Sequence, residues 1–153
     1  MYRKMSAAVI ALMLGAPAYA QSASELSGGA WSCRMTSLVG EPGGDLTLDF
    51  GGTGSLSGEF YFEIPDEDDT IAMRFTVTGG WTLDGSVISM NVTDSELMGA
   101  WLNGEELPDD TKEAMQGSLE EELEAFSGED TVAYIADHAM VLEEPDTSIS
   151  CWR

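Results

Sequence analysis

The residues that could do chemistry in this chain are few and scattered. His138 is the single histidine and is flanked by Asp137. Neighbours in an extended segment point to opposite faces, so the two cannot serve as base and orienter; His138 reads as a turn residue between two strands. The serines of Gly54-Ser55-Leu56-Ser57-Gly58 suit a hairpin rather than the nucleophile elbow of a hydrolase. One histidine and two cysteines are too few soft ligands for a closed zinc or copper site. The methionines are dispersed, mostly on apolar faces, and read as core filler. No catalytic residue, metal site or cofactor is expected, and the chain reads as a non-enzyme.

Two acidic groups remain. Asp66-Glu67-Asp68-Asp69 follows Pro65 between two strand-like segments, placing carboxylates on a hairpin tip where mutual repulsion would favour a hard cation such as calcium. It is no EF-hand, because Ile71 stands where the loop glycine belongs and Val77 where the final glutamate belongs. A solvated turn and weak cation binding both stay open. Glu120, Glu121, Glu122 and Glu124 crowd the end of an expected helix, where they oppose its negative dipole end and Glu120 repels Glu124. A solvated surface and a face for a basic protein partner are the two readings.

Cys33 and Cys151 sit near the two ends of the chain. An oxidising compartment favours pairing them, and the absence of a C-x-x-C spacing argues against a redox pair. Each lies in a short strand-like segment, so a bridge would set the first strand beside the last. A sheet whose ends are neighbours is a closed or nearly closed barrel.

The 153 residues suffice for one domain of ordinary size. With 28 acidic residues against 6 basic ones, the chain lacks the clustered Lys and Arg that nucleic-acid binding needs. At 43% hydrophobic residues it can still bury enough apolar surface to fold. Arg3 and Lys4, the apolar run Ala7 to Leu14 and the small residues of Ala18-Tyr19-Ala20 form a secretory signal pattern over 1–20. The run is too short to span a bilayer. The expectation is a mature single β-barrel domain over 21–153, not membrane-spanning, in the periplasm or outside the cell.

The elements follow from periodicity. Leu46, Leu48 and Phe50, then Leu56, Phe60, Phe62 and Ile64 beyond Gly51-Gly52-Thr53-Gly54, alternate as in a half-buried antiparallel sheet. Ile71, Met73, Phe75 and Val77 keep their parity through Gly79-Gly80 to Trp81 and Leu83, which predicts one long strand bent at its middle. Ile88, Met90 and Val92 continue the pattern, and Asp94 to Gly104 reads as irregular. From Pro108 the stripe Met115, Leu119, Leu123 and Phe126 predicts an amphipathic helix stopping at Gly128. Strands over Thr131 to Ala136, Ala139 to Glu143 and Thr147 to Trp152 complete the chain.

Gly29-Ala30-Trp31, at the head of the first strand, resembles the G-x-W opening of lipocalins and related calycin barrels. The mature chain is also similar to small lipocalin-like periplasmic proteins of Gram-negative bacteria that end in Cys-x-Arg, here Cys151-Trp152-Arg153. The resemblance implies a mainly β chain, an antiparallel up-and-down β-barrel of eight or nine strands; the periodicity adds one amphipathic helix before the last three strands, where true lipocalins place theirs before a single final strand. The resemblance also implies that Trp31 closes the barrel floor. The inward aromatic residues Phe50, Phe60, Phe62, Phe75 and Trp81 are then ligand-facing or core, because a hollow barrel and one filled with its own side chains share this pattern. The expected function is binding of a small apolar ligand or a protein partner. The alternative is an acidic interaction or inhibitor protein recognising a basic periplasmic or secreted partner.

Overall fold

The computed structural model describes residues 22–37, 43–66, 68–121 and 126–153. The expected signal segment, 1–20, lies outside them. Among the described residues the order is α1 (Ala23–Leu26), β1 (Trp31–Ser37), β2 (Gly44–Phe50), β3 (Ser55–Asp66), β4 (Asp69–Asp84), β5 (Val87–Leu102), β6 (Glu105–Glu106), α2 (Asp109–Glu121), β7 (Gly128–Ala136), β8 (Ala139–Glu143) and β9 (Thr147–Trp152).

Side-chain alternation makes the sheet. On β1 and β2, buried Trp31, Cys33, Leu46, Leu48 and Phe50 alternate with exposed Ser32, Arg34, Asp45, Thr47 and Asp49. One dry face and one wet face result. Strands β1 to β5 pair consecutively and antiparallel; β5 then pairs with β7, and β7, β8 and β9 continue the meander. The last strand returns to the first, with Cys33 directly opposite Cys151 and a disulfide joining them. Eight strands therefore close into an antiparallel barrel, and β6 is a short extra pairing on the far end of β5. Among the described residues no helix is long and apolar enough to cross a membrane.

Two expectations need correction. The segment Asp94 to Gly104 is not irregular: most of it belongs to β5, which pairs with β4 up to Leu102. The register shifts opposite Thr78/Gly79 and Arg74/Phe75 leave Thr93 and Met98 as extra residues on β5. Each such bulge flips the parity of the strand beyond it, so the inward residues pass from Ile88 and Val92 to Ser95 and then to Ala100. The irregularity expected at Gly79-Gly80 is thus a register shift, with its extra residue across the ladder on β5. The helix is described over Asp109–Glu121, but its expected stop needs correction. Met115 and Leu119 are half-buried on α2, Leu123 lies outside the described residues, and Phe126 packs against the core. Gly128 begins β7 rather than stopping a helix.

The floor of the barrel is built around Trp31. Its ring is fully buried, and its indole N–H donates to the Leu26 carbonyl at 2.9 Å. The guanidinium carbon of Arg153 lies 4.0 Å from the centre of a Trp31 ring, within cation–π range. The same guanidinium donates to the carbonyls of Asp137 and Glu25, tying the β7–β8 turn and α1 beneath the floor. Trp31 thus sits fully buried at one end of the barrel, with the Arg153 guanidinium over its ring. At the β2–β3 turn, Gly54 adopts φ +82°, a conformation glycine takes without strain. Its carbonyl accepts the Trp81 amide, and the Trp81 indole donates to the Gly51 carbonyl.

Candidate functional site

A cavity of about 210 Å³ opens within the barrel, away from the Trp31 floor. Its aromatic wall is Phe60 and Phe62 from β3 and Phe126 from the connector after α2. Leu46, Leu48, Val77, Met90, Val92 and Ile149 supply much of the rest of its apolar lining. Behind that wall Phe75 is fully buried, 5.3 Å from Phe60 and 5.2 Å from Phe126 between ring centres, within the preferred range for aromatic pairs.

The expected aromatic residues therefore divide. Phe60 and Phe62 face the cavity and are only half-buried. Phe50, Phe75 and Trp81 are buried core, with Phe50 and Trp81 meeting edge to face at 5.4 Å. The interior is thus partly hollow and partly filled with its own side chains.

One lining residue escaped sequence reasoning. Asp130, on β7 opposite Ile88, is 1% exposed, and no donor among the described residues reaches either of its carboxyl oxygens. Glu144, in the turn between β8 and β9, lines the same cavity. Burial, and then the adjoining Glu144 carboxyl, push the Asp130 pKa up to about 8, because both disfavour a second negative charge there. At neutral pH Asp130 keeps its proton. The signal was legible: with β7 begun at Gly128 instead of Thr131, the inward parity of Val132 falls on Asp130 as well.

The other acidic groups stand elsewhere. Asp66, Asp68 and Asp69 are exposed at the β3–β4 tip, and Glu67 lies outside the described residues. Asp69 accepts from the Asn103 side chain, whose carbonyl oxygen takes the Thr70 amide. Among the described residues no three carboxylates, histidines or cysteines converge as metal ligands. Glu120 and Glu121 are exposed on α2, Glu120 accepts from Gln116, and Glu124 lies outside the described residues. His138 is exposed in the β7–β8 turn.

No family model and no curated protein matches the chain. Among solved structures it is similar to a lipocalin-like protein from Bacteroides uniformis ATCC 8492, at 18% identity and a TM-score of 0.47 over 84% of this chain and 98% of that one. It is also similar to an uncharacterized protein from Bacteroides eggerthii DSM 20697, at 12% identity and a TM-score of 0.47 over 82% of this chain and 97% of that one. The strand pairing by itself establishes the closed antiparallel barrel.

Proposed function

We propose that this chain is an exported, non-catalytic binding protein that holds a small apolar ligand inside its barrel. The cavity supports the reading: apolar walls, an aromatic side and two convergent carboxyl groups form the usual composition of a small-molecule site. Its 210 Å³ is modest beside the lower bound of about 300 Å³ for drug-sized pockets. An apolar cavity of about 150 Å³ is enough for benzene, so the occupant is a single ring or a short chain. The disulfide and the secretory pattern of residues 1–20 support export to the periplasm or beyond.

The test is native mass spectrometry of protein purified from its own host, combined with an NMR titration using toluene and indole. A co-purifying small molecule, or saturable shifts at Val92 and Ile149, is the expected result. Filling the cavity with Val92→Phe should abolish both. A barrel that carries nothing and takes up neither probe would sink the reading.

The acidic exterior favours a second reading, in which the chain recognises a basic protein. Arg34, Arg74 and Lys112 already engage Asp45, Glu59, Glu106 and Asp109, so much of the negative surface has no internal counter-charge. A pull-down at low salt that returns a basic protein, lost when Glu120 and Glu121 are replaced by glutamine, supports this reading; an empty one removes it.

A further inference from the structure

Among the described residues that line the cavity, Asp130 and Glu144 are the titratable groups, and no lysine, arginine or histidine stands with them. Both Asp130 oxygens are buried with no donor from the described residues, an arrangement that is costly when the group is charged. A carboxyl so buried beside a second one favours its neutral form. A ligand that brings donors and a positive charge in place of the Asp130 proton satisfies both groups. A carboxylate would be repelled, and an alcohol offers one donor without charge. Calcium takes about six to eight oxygens, and no third metal-binding group joins the pair among the described residues.

We infer that the ligand is a small apolar amine, its ammonium seated between Asp130 and Glu144 and its hydrocarbon body against Phe60, Phe62 and Phe126. This rests on the reading of the cavity as a ligand site and names the ligand's class. The phenylalanine faces favour a nearby cation as well as the hydrocarbon. Because the ammonium replaces a proton, binding releases one wherever Asp130 is protonated, and affinity rises with pH. Glu144 is the titratable group that faces Asp130; Glu129 and Glu143, its neighbours on β7 and β8, are exposed.

Calorimetry on the disulfide-bonded protein tests this with phenethylamine, phenethyl alcohol and hydrocinnamate. The amine should bind roughly tenfold tighter than the alcohol at about pH 9, the difference made by one charge-assisted contact. Its affinity should fall toward about pH 6, with proton release visible in buffers of different ionisation heat. Asp130→Asn should erase the amine preference and keep alcohol binding, which shows the barrel intact; Glu144→Gln, at an exposed turn, should weaken the preference. Alcohol binding as tight as that of the amine overturns the inference and leaves the ligand-site reading standing. An amine preference that survives both substitutions does the same, since it would come from the acidic surface. Binding of none of the three at millimolar concentration overturns both.

Discussion

Asp130 faces Ile88 across the ladder in a place where no donor among the described residues meets a carboxylate, so its proton is part of the folded state. The unfolded chain holds that proton only below about pH 4, whereas the folded chain holds it up to about 8. Between those values the folded state binds more protons than the unfolded one. Stability therefore falls as pH rises through that window and levels off above it. Thermal unfolding from about pH 4 to about pH 9 should show a declining midpoint in the parent chain. The decline should be smaller in Asp130→Asn, and equal slopes would remove the buried carboxyl as its cause. The burial of Trp31 and Phe50 was readable from their inward parity. The division of Phe60 and Phe62 from Phe50, Phe75 and Trp81 was not, because inward parity is the same whether a ring meets solvent-filled space or another ring.

The barrel's vulnerable element is the upper half of β5. It pairs with β7 only from Val87 to Met90 and with β6 only at Trp101 and Leu102, and between those stretches its outer edge would present bare backbone groups, a hazard for any sheet. Side chains cover it instead. Gln116 on α2 accepts the Leu97 amide at 2.6 Å and donates to the Ser95 carbonyl at 3.0 Å, while the Ser127 hydroxyl accepts the Val92 amide. One glutamine thus imitates a neighbouring strand, which explains why a helix with no fully buried residue stays docked. Gln116→Ala should cost about 1–3 kcal/mol, since it strands two backbone groups. It should also speed hydrogen exchange at the Leu97 amide, and unchanged exchange there would show that water already serves that edge. Strand existence was legible wherever parity ran unbroken, as in β2 and the lower half of β4. It failed across Thr93 and Met98, where each inserted residue reverses the pattern within a few positions. The boundaries of β8 and β9 matched because Asp137-His138 and Glu144-Pro145-Asp146 punctuate them with turn chemistry.

Over the whole molecule, two forces act at long range. The disulfide links residues 118 apart in sequence, and the chain-entropy account gives such a crosslink about 4–5 kcal/mol through the unfolded ensemble. Replacing both cysteines with serine should lower the denaturation midpoint strongly without moving the ladder between β1 and β9; a small shift would mean that the strand pairing alone confines the ends. The formal charge of −22 works the other way. Raising salt from very low concentration to about 0.5 M should increase the melting temperature by screening self-repulsion, and a flat response would show that the exposed acids are too far apart to matter. The position of the bridge has a further result wherever the chain meets a protease. Every loop from β1–β2 through β8–β9 lies between its two sulfurs, so a single cut in any of them yields two fragments that remain one covalent molecule. A nicked barrel can reclose without its pieces ever having to find each other by diffusion.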